Sequence, residues 1–150
     1  MNNGSPSEIC AVLSAIAPQS SATAKSTGWV AAGSYEYLQF MAQFGASDQT
    51  TIDVKIEMAD DAARTNPVNV TGKASTQVSG ATAANKQILI DFHRDNDLAS
   101  AKPFVRGTIT PAGGTATLLA GALLGFNPRF SPVTQAASVL QAVTGAAKTP

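Results

Sequence analysis

The sequence contains few of the residues on which reactive sites depend. Its 150 residues include one cysteine, Cys10, and one histidine, His93. A single cysteine excludes an intramolecular disulfide and a zinc site made of thiolates. His93 has no second histidine as a partner, so we interpret it as a surface residue whose replacement by alanine leaves function intact. We therefore expect no enzymatic activity, no catalytic residues and no cofactor.

Charge is also scarce. Charged residues make up 13% of the chain, and ten basic side chains balance ten acidic ones. A nucleic-acid-binding protein needs a basic excess to displace the counterions of the phosphates, so we expect no nucleic-acid partner. A net charge of zero gives a free monomer little protection against association, which favours a protein that works in an assembly.

Long apolar runs are absent. The longest, over residues 116–126, has about half of the roughly 20 residues that a membrane-spanning helix needs, and we therefore expect no membrane partner. Residues 1–7 lack the basic stretch of a signal peptide, and Ser14 interrupts the apolar run that follows. We expect no secretion signal.

Alternation of apolar and polar residues is the strongest positive signal. In residues 52–58 every even position is apolar and every odd one is charged, which predicts a strand with one buried and one wet face. Substitution is expected to be harmful at Ile56 and tolerated at Glu57. Residues 35–44 alternate in the same way, and the turn residues over 45–49 predict a hairpin between the two strands.

Further strands are predicted at short spacing, with turn residues between them. They cover residues 28–32, 70–78, 87–92, 103–110 and 115–124. Such a series without a convincing helix predicts an all-β protein: an antiparallel, jelly-roll-like β-sandwich with extended terminal arms.

The domain prediction has three parts. The sandwich domain covers residues 28–130, between an N-terminal arm over 1–27 and a C-terminal tail over 131–150. In the tail, apolar residues at helical spacing within 135–143 fit either a short helix or a docked arm.

Two acidic loops carry oxygen atoms of the kind that bind Ca²⁺. Asp60-Asp61 and Asp95-Asn96-Asp97 lack the spacing and the closing glutamate of an EF-hand, so we favour solvated loops and predict no metal site. Arg106 lies in an apolar strand and is expected to pair with a carboxylate of the chain, such as Asp95 or Asp97.

Aromatic residues and a second arginine are the candidates for recognition. Trp29, Tyr35 and Tyr37 fit either core packing or a platform for a sugar or a protein partner. Arg129 and Phe130 follow the last predicted strand, where they can lie at an interface.

Several short segments follow one another in a distinctive order: Gly28-Trp29-Val30, residues 35–45, residues 51–59 followed by Asp61-Ala62-Ala63, Thr71-Gly72-Lys73-Ala74, Asn85-Lys86-Gln87, Phe104-Val105-Arg106 and residues 125–130. Together they resemble a family of small tailed-bacteriophage head proteins. Each segment alone is weak, but their common order over about residues 28–130 is more specific.

The resemblance implies a virion structural protein that decorates or cements the outer surface of the assembled head. The expected partners are the major capsid protein and further copies of this chain in a homotrimer, and the host cytoplasm is the expected site of assembly. The expected partner-binding residues lie in the arms and near the last strand, with two tyrosines as weaker candidates: Ile9, Leu13, Arg129, Phe130, Tyr35 and Tyr37. A head-to-tail connector or tail component and a carbohydrate-binding β-sandwich module are the alternatives.

Overall fold

The computed structural model describes residues 6–129 and 133–139. Its helical elements are single turns: α1 (Pro6–Ile9), a 3₁₀ turn (Ala32–Ser34), α2 (Gly80–Ala83) and α3 (Arg94–Asp97). The strands in chain order are β1 (Cys10–Ser21), β2 (Lys25–Ser26), β3 (Val30–Ala31), β4 (Tyr35–Ser47), β5 (Thr51–Ala59), β6 (Val68–Ala74), β7 (Gln87–His93), β8 (Phe104–Ala112) and β9 (Thr117–Pro128).

The strands form two antiparallel sheets. Sheet A has the order β1-β9-β4-β7, and sheet B has the order β2-β8-β5-β6. Strands β2 and β3 both pair with β8, at different positions along it, and together occupy one edge of sheet B. If β2 and β3 are counted as one strand, β5 and β6 are the only consecutive strands among the described residues that share a sheet. Eight strands that cross between two sheets in this order form a jelly roll. The predicted all-β class and antiparallel, jelly-roll-like sandwich are confirmed.

The alternating segments bury the faces that the sequence predicted. In β5, Ile52, Val54 and Ile56 are fully buried, while the charged residues between them are partly exposed. The core between the sheets takes its aliphatic and aromatic side chains from both inner faces: Leu38, Phe40, Phe44, Ile90, Phe92, Leu119 and Leu123 from sheet A, and Ile52, Val54, Ile56, Val70, Val105 and Ile109 from sheet B.

Gly107 and Phe40 show how closely the two sheets approach. Phe40 of β4 is fully buried, and a Cβ atom added to Gly107 of β8 would lie 2.3 Å from its ring. Glycine at this position therefore lets an aromatic ring of sheet A reach the backbone of sheet B.

The predicted hairpin between β4 and β5 is wrong. β4 pairs with β7 and β9 in sheet A, whereas β5 pairs with β6 and β8 in sheet B. The turn residues between them carry the chain from one sheet to the other. Alternation specifies which side of a strand is buried, but it does not specify the neighbouring strand.

The predicted N-terminal arm over 1–27 is wrong for most of its length. Residues 10–21 form β1, which pairs along β9 at the edge of sheet A. Ala11 and Ile16 of this strand belong to the core. The sandwich therefore begins at Cys10 rather than at Gly28.

The C-terminal segment, residues 133–139, lies against the outer edge of β1. The side-chain amide of Gln135 accepts a hydrogen bond from the backbone N–H of Val12 (2.7 Å) and donates one to the carbonyl oxygen of Cys10 (2.8 Å). The backbone N–H of Ala136 donates to the carbonyl oxygen of Val12 (2.9 Å). A side-chain amide thus replaces the peptide group of a neighbouring strand at an exposed sheet edge.

This part of the predicted tail is a docked arm and contains no helix. Val133 packs against the core, so the docking is partly apolar. The remainder of the tail, including residues 140–143 of the alternative helix, lies outside the described residues.

Candidate functional site

The outward side chains of sheet A form a mostly apolar surface. Paired residues of antiparallel strands point to the same side of a sheet, and Met41 of β4 lies between Ala122 of β9 and Leu89 of β7. We call this surface the sheet A face and define it by its outward apolar side chains: Val12, Tyr37, Met41, Leu89, Leu118, Ala120, Ala122, Leu124 and Phe126.

Three large side chains of the sheet A face are about half exposed: Leu89 (53%), Leu118 (51%) and Tyr37 (49%). The only other exposed large hydrophobic side chain among residues 6–129 and 133–139 is Val68 of β6. Isolated exposed hydrophobic residues are ordinary on protein surfaces, whereas a cluster on one face is typical of a binding surface.

The outer face of sheet B is charged. Nε of Arg106 donates to Oε2 of Glu57 over 2.7 Å, and Nζ of Lys55 lies 3.0 Å from Oε1 of the same carboxylate. The guanidinium of Arg106 also stacks on Trp29, 4.7 Å from the ring centre. The two faces of the sandwich therefore differ in kind, because sheet B exposes charged groups that are paired within the chain.

Arg106 has the intrachain carboxylate partner that its position predicted, but that partner is Glu57 rather than Asp95 or Asp97. The predicted hairpin places β5 beside β4, whereas β5 lies beside β8 and so brings Glu57 opposite Arg106. Burial alone would raise the pKa of Glu57, but hydrogen bonds from Lys55, Thr108 and Arg106 outweigh it and hold the pKa below its ordinary value.

A few polar groups lie within and beside the sheet A face. Nε2 of Gln39 donates to Oδ1 of Asp91 across the β4–β7 ladder over 2.7 Å. The rings of Tyr37 and His93 meet edge to face, with their centres 4.8 Å apart. Tyr37 therefore has His93 against one side of its ring, and its hydroxyl adds a further polar group to this surface.

His93 has structural partners rather than the partners of a general base. Its Nδ1 accepts a hydrogen bond from the backbone N–H of Asp95, which caps α3. Its backbone N–H donates to Oδ2 of Asp97 over 2.6 Å, and its Nε2 lies 3.5 Å from Oε1 of Glu36. The side chain is partly buried, so the interpretation as a simple surface residue is incomplete.

Two shallow hollows open at opposite ends of the sheet A face. One has a volume of about 420 Å³ over Leu118, between Pro18 and Gly45. The other, of about 330 Å³, lies between Ile9 and Phe126, next to Cys10. Neither hollow is lined by a charged side chain, so each suits an apolar group.

Two of the predicted partner-binding residues lie at this surface. Tyr37 belongs to the sheet A face, and Ile9 lines the hollow beside Phe126. Arg129 is exposed just beyond β9, where its backbone N–H donates to the carbonyl oxygen of Ser34 (2.9 Å).

Two other predicted partner-binding residues, Tyr35 and Leu13, are more buried than expected. Tyr35 is buried, because Gly125 on the neighbouring β9 leaves room for its ring. Leu13 is partly buried against the core. Phe130 lies outside the described residues.

The acidic loops are held by bonds within the chain. Asp61 accepts hydrogen bonds from the backbone and side chain of Thr65, and Asp60 accepts from Lys102 (2.7 Å) and Asn66 (2.7 Å). These donors hold the pKa values of both carboxyl groups below their ordinary value. Within the described ranges, no three His, Cys, Asp or Glu side chains are grouped so that they could hold a metal ion.

The sequence contained a signal for the sheet A face that the reasoning above missed. In β9, the run Leu118 to Phe126 is apolar at both odd and even positions, apart from glycine. A strand with one wet face alternates, whereas an unbroken apolar run indicates that both faces are covered. From this run we predicted only a strand over residues 115–124.

Comparison with protein-family models found no match, and comparison with curated proteins found none. Among solved structures, the chain is similar to the SPBc2 prophage-derived protein YomS (12% identity, 77% of this chain and 95% of that one, TM-score 0.42). It is also similar to a chain of Broad Bean Stain Virus (10%, 89% and 96%, 0.46) and to a CBM4 structure (13%, 74% and 79%, 0.42). At these identities and TM-scores, the similarities assign neither a family nor a function.

None of the helices in the described part of the chain has the length and the apolar character to cross a membrane.

Proposed function

We propose that this protein is a virion structural protein that decorates and cements the head of a tailed bacteriophage. In this role it binds the major capsid protein on the outer surface of the assembled shell, and a homotrimer is the binding unit. Attachment follows synthesis and capsid assembly in the host cytoplasm. The proposed role is binding and needs neither a catalytic residue nor a cofactor.

The observation that carries the proposal is the contrast between the two faces of the sandwich. The sheet A face carries apolar side chains on all four strands, from Val12 of β1 to Leu89 of β7, with few polar groups among them, whereas sheet B exposes the ion pairs around Glu57. A protein that lies on a shell needs one surface that packs against protein and one that faces water. The resemblance of the ordered sequence segments to phage head proteins supports the same role.

The area of the sheet A face favours weak binding by each copy, with several linked copies binding together. Strands of 12, 13, 7 and 12 residues at the usual spacing and rise give an area of roughly 700 Å². A stable interface buries about 800 Å² on each partner, so even the whole of this face falls short of what tight binding by one copy needs. Linked copies raise the effective concentration of each further contact, and avidity exceeds a single affinity by about 10² to 10⁴.

Stabilisation of the shell then follows from mass action. A protein that binds only the assembled shell lowers the free energy of that state and leaves the dissociated subunits unchanged. Heat or internal pressure must release the bound copies before the capsid subunits part.

The test compares one outward lysine on each face. Leu124→Lys places a charge in the middle of the sheet A face, and Thr110→Lys places the same charge on the matching central strand of sheet B, opposite Asp53. We expect Leu124→Lys to abolish co-sedimentation with heads that lack this protein, and Thr110→Lys to bind as the unmodified chain does. Equal binding by both variants, with both folds intact by circular dichroism, would overturn the proposal.

Heads reconstituted with each variant provide the functional readout. The unmodified protein and Thr110→Lys should raise the temperature at which the heads release their DNA, and Leu124→Lys should not. Electron microscopy of the same particles distinguishes decoration over the shell from a ring at the portal vertex or a position in the tail.

Tyr37 favours carbohydrate binding as a second candidate function. Its ring is half exposed, His93 supports it, and the hydrogen-bonded pair of Gln39 and Asp91 lies one row away. An aromatic ring beside paired polar groups is a chemistry that binds sugars. Binding to a glycan array that Tyr37→Ala removes, together with no binding to heads, would favour this function over decoration.

A further inference from the structure

A homotrimer of this protein needs contacts between copies, and few exposed large apolar side chains outside the sheet A face are found within residues 6–129 and 133–139 to make them. Outside the sheet A face, Val68 is the one exposed large hydrophobic side chain among the described residues. The proposed function assigns the sheet A face to the capsid protein. Exchange of a segment between copies needs no further apolar surface. The segment makes the same contacts with a neighbouring copy that it would otherwise make within its own copy.

The C-terminal segment, residues 133–139, is well suited to such an exchange. It belongs to neither sheet and holds the edge of β1 through three hydrogen bonds from Gln135 and Ala136. Val133 adds a contact with the core. Every copy presents the same backbone groups at Cys10 and Val12, so the edge of another copy offers the segment the same hydrogen-bonding partners.

We propose that residues 133–139 are exchanged between copies, so that Gln135 of one copy closes the β1 edge of the next. The contact is head to tail, and a threefold rotation closes it into a ring. Val12 belongs both to this edge and to the sheet A face. The exchange therefore fixes the sheet A faces of neighbouring copies relative to one another. This inference rests on the homotrimer of the proposed function.

A cross-linking experiment with mixed isotope labels tests the exchange. The variant Val12→Cys/Ala136→Cys, in a Cys10→Ser background, is prepared in labelled and unlabelled form, and equal amounts are unfolded and refolded together. A short bismaleimide joins the two thiols without the geometric demands of a disulfide, and mass spectrometry identifies the joined peptides. The matched control is Gln39→Cys/Asp91→Cys, whose positions pair within one chain across β4 and β7.

Exchange predicts that about half of the cross-links at 12 and 136 join a labelled to an unlabelled chain, because neighbours in the ring are drawn at random. The control should join only like-labelled peptides. Like-labelled peptides alone at 12 and 136 would overturn the exchange. If the same protein still binds heads, the proposed attachment stands and only the exchange fails.

Gln135→Ala gives a second measurement that needs no cysteine. With exchange, light scattering should show a trimer in the unmodified protein and a shift towards monomer in the variant, and the melting temperature of the unmodified protein should rise with protein concentration. A variant that lowers the melting temperature at every concentration and leaves the oligomeric state unchanged would overturn the inference.

Discussion

Glu57 of β5 and Arg106 of β8 lie opposite each other in sheet B, and Nε of Arg106 donates to Oε2 of Glu57 over 2.7 Å. The hydroxyl of Thr108 donates to the same oxygen over 2.8 Å, and the Glu57 side chain is only 13% exposed. The expectation that Glu57, on the solvent-facing side of β5, tolerates substitution is therefore revised, because this carboxylate joins two strands.

The first prediction is that Glu57→Gln lowers the free energy of unfolding by about 1–3 kcal/mol at neutral pH, the range for a lost charge-assisted hydrogen bond. The pKa of Glu57 lies below its ordinary value of 4.5 in the folded protein. A depressed folded pKa contributes stability above the unfolded pKa, and this contribution is lost as pH falls through the folded value.

The difference between the unmodified protein and Glu57→Gln should therefore shrink as pH falls from 6 towards 3. Urea unfolding at a series of pH values measures it. A difference that stays constant over this range would show that the glutamine acts through packing rather than through charge.

The second prediction contrasts the two sides of β5. Ile56→Asp places a carboxylate at a fully buried position without a partner and should prevent folding, because such a change costs more than about 4 kcal/mol. Asp53→Asn keeps an oxygen that can accept from Gln77 and should cost less than about 0.5 kcal/mol. Circular dichroism and thermal melting compare the two variants, and equal melting temperatures would contradict the assigned faces.

The third prediction concerns the closest approach of the two sheets. Gly107→Ala would place a Cβ atom 2.3 Å from the ring of Phe40. This overpacking should destabilise the protein by about 1–3 kcal/mol or more. Gly33→Ala is the control, because no atom lies within 4 Å of the added Cβ. Phe40→Leu should recover part of the loss in the Gly107→Ala background but should destabilise the unmodified protein. Similar melting temperatures for the two alanine variants would contradict the packing.

Strands with one buried side were predictable from the sequence because their period is visible within a few residues. β5 and β4 follow this rule from Ile52 and from Leu38 onwards. β1 does not, because irregular pairing near Val12 and Ile16 shifts its register against β9. Its apolar residues therefore lose the alternation by which a strand is recognised.

Contacts between distant parts of the chain were not predictable in the same way. The burial of Tyr35 depends on Gly125, and the closure of the β1 edge depends on Gln135. The topology of the fold determines these pairs, and neither residue lies in a local sequence pattern that identifies its partner. The sheet A face was the exception, since the unbroken apolar run of β9 indicated that both of its faces are covered.

The last prediction concerns His93, whose replacement by alanine was expected to leave function intact. The structure predicts two losses: the cap that Nδ1 provides to the backbone N–H of Asp95, and the ring contact with Tyr37. The first costs about 0.5–2 kcal/mol, and an aromatic pair adds about 0.5–1.5 kcal/mol.

Two further variants separate these losses. His93→Asn retains a side chain that caps helices well but has no ring, so it should recover the capping part of the stability and none of the coupling to Tyr37. The coupling is measured by a double-mutant cycle of His93→Ala and Tyr37→Ala in urea unfolding. Because Tyr37 lies on the sheet A face, His93→Ala and His93→Asn should both weaken head binding relative to the unmodified protein. Additive losses in the cycle together with unchanged head binding would show that His93 supports only α3, and that the orientation of Tyr37 does not depend on it.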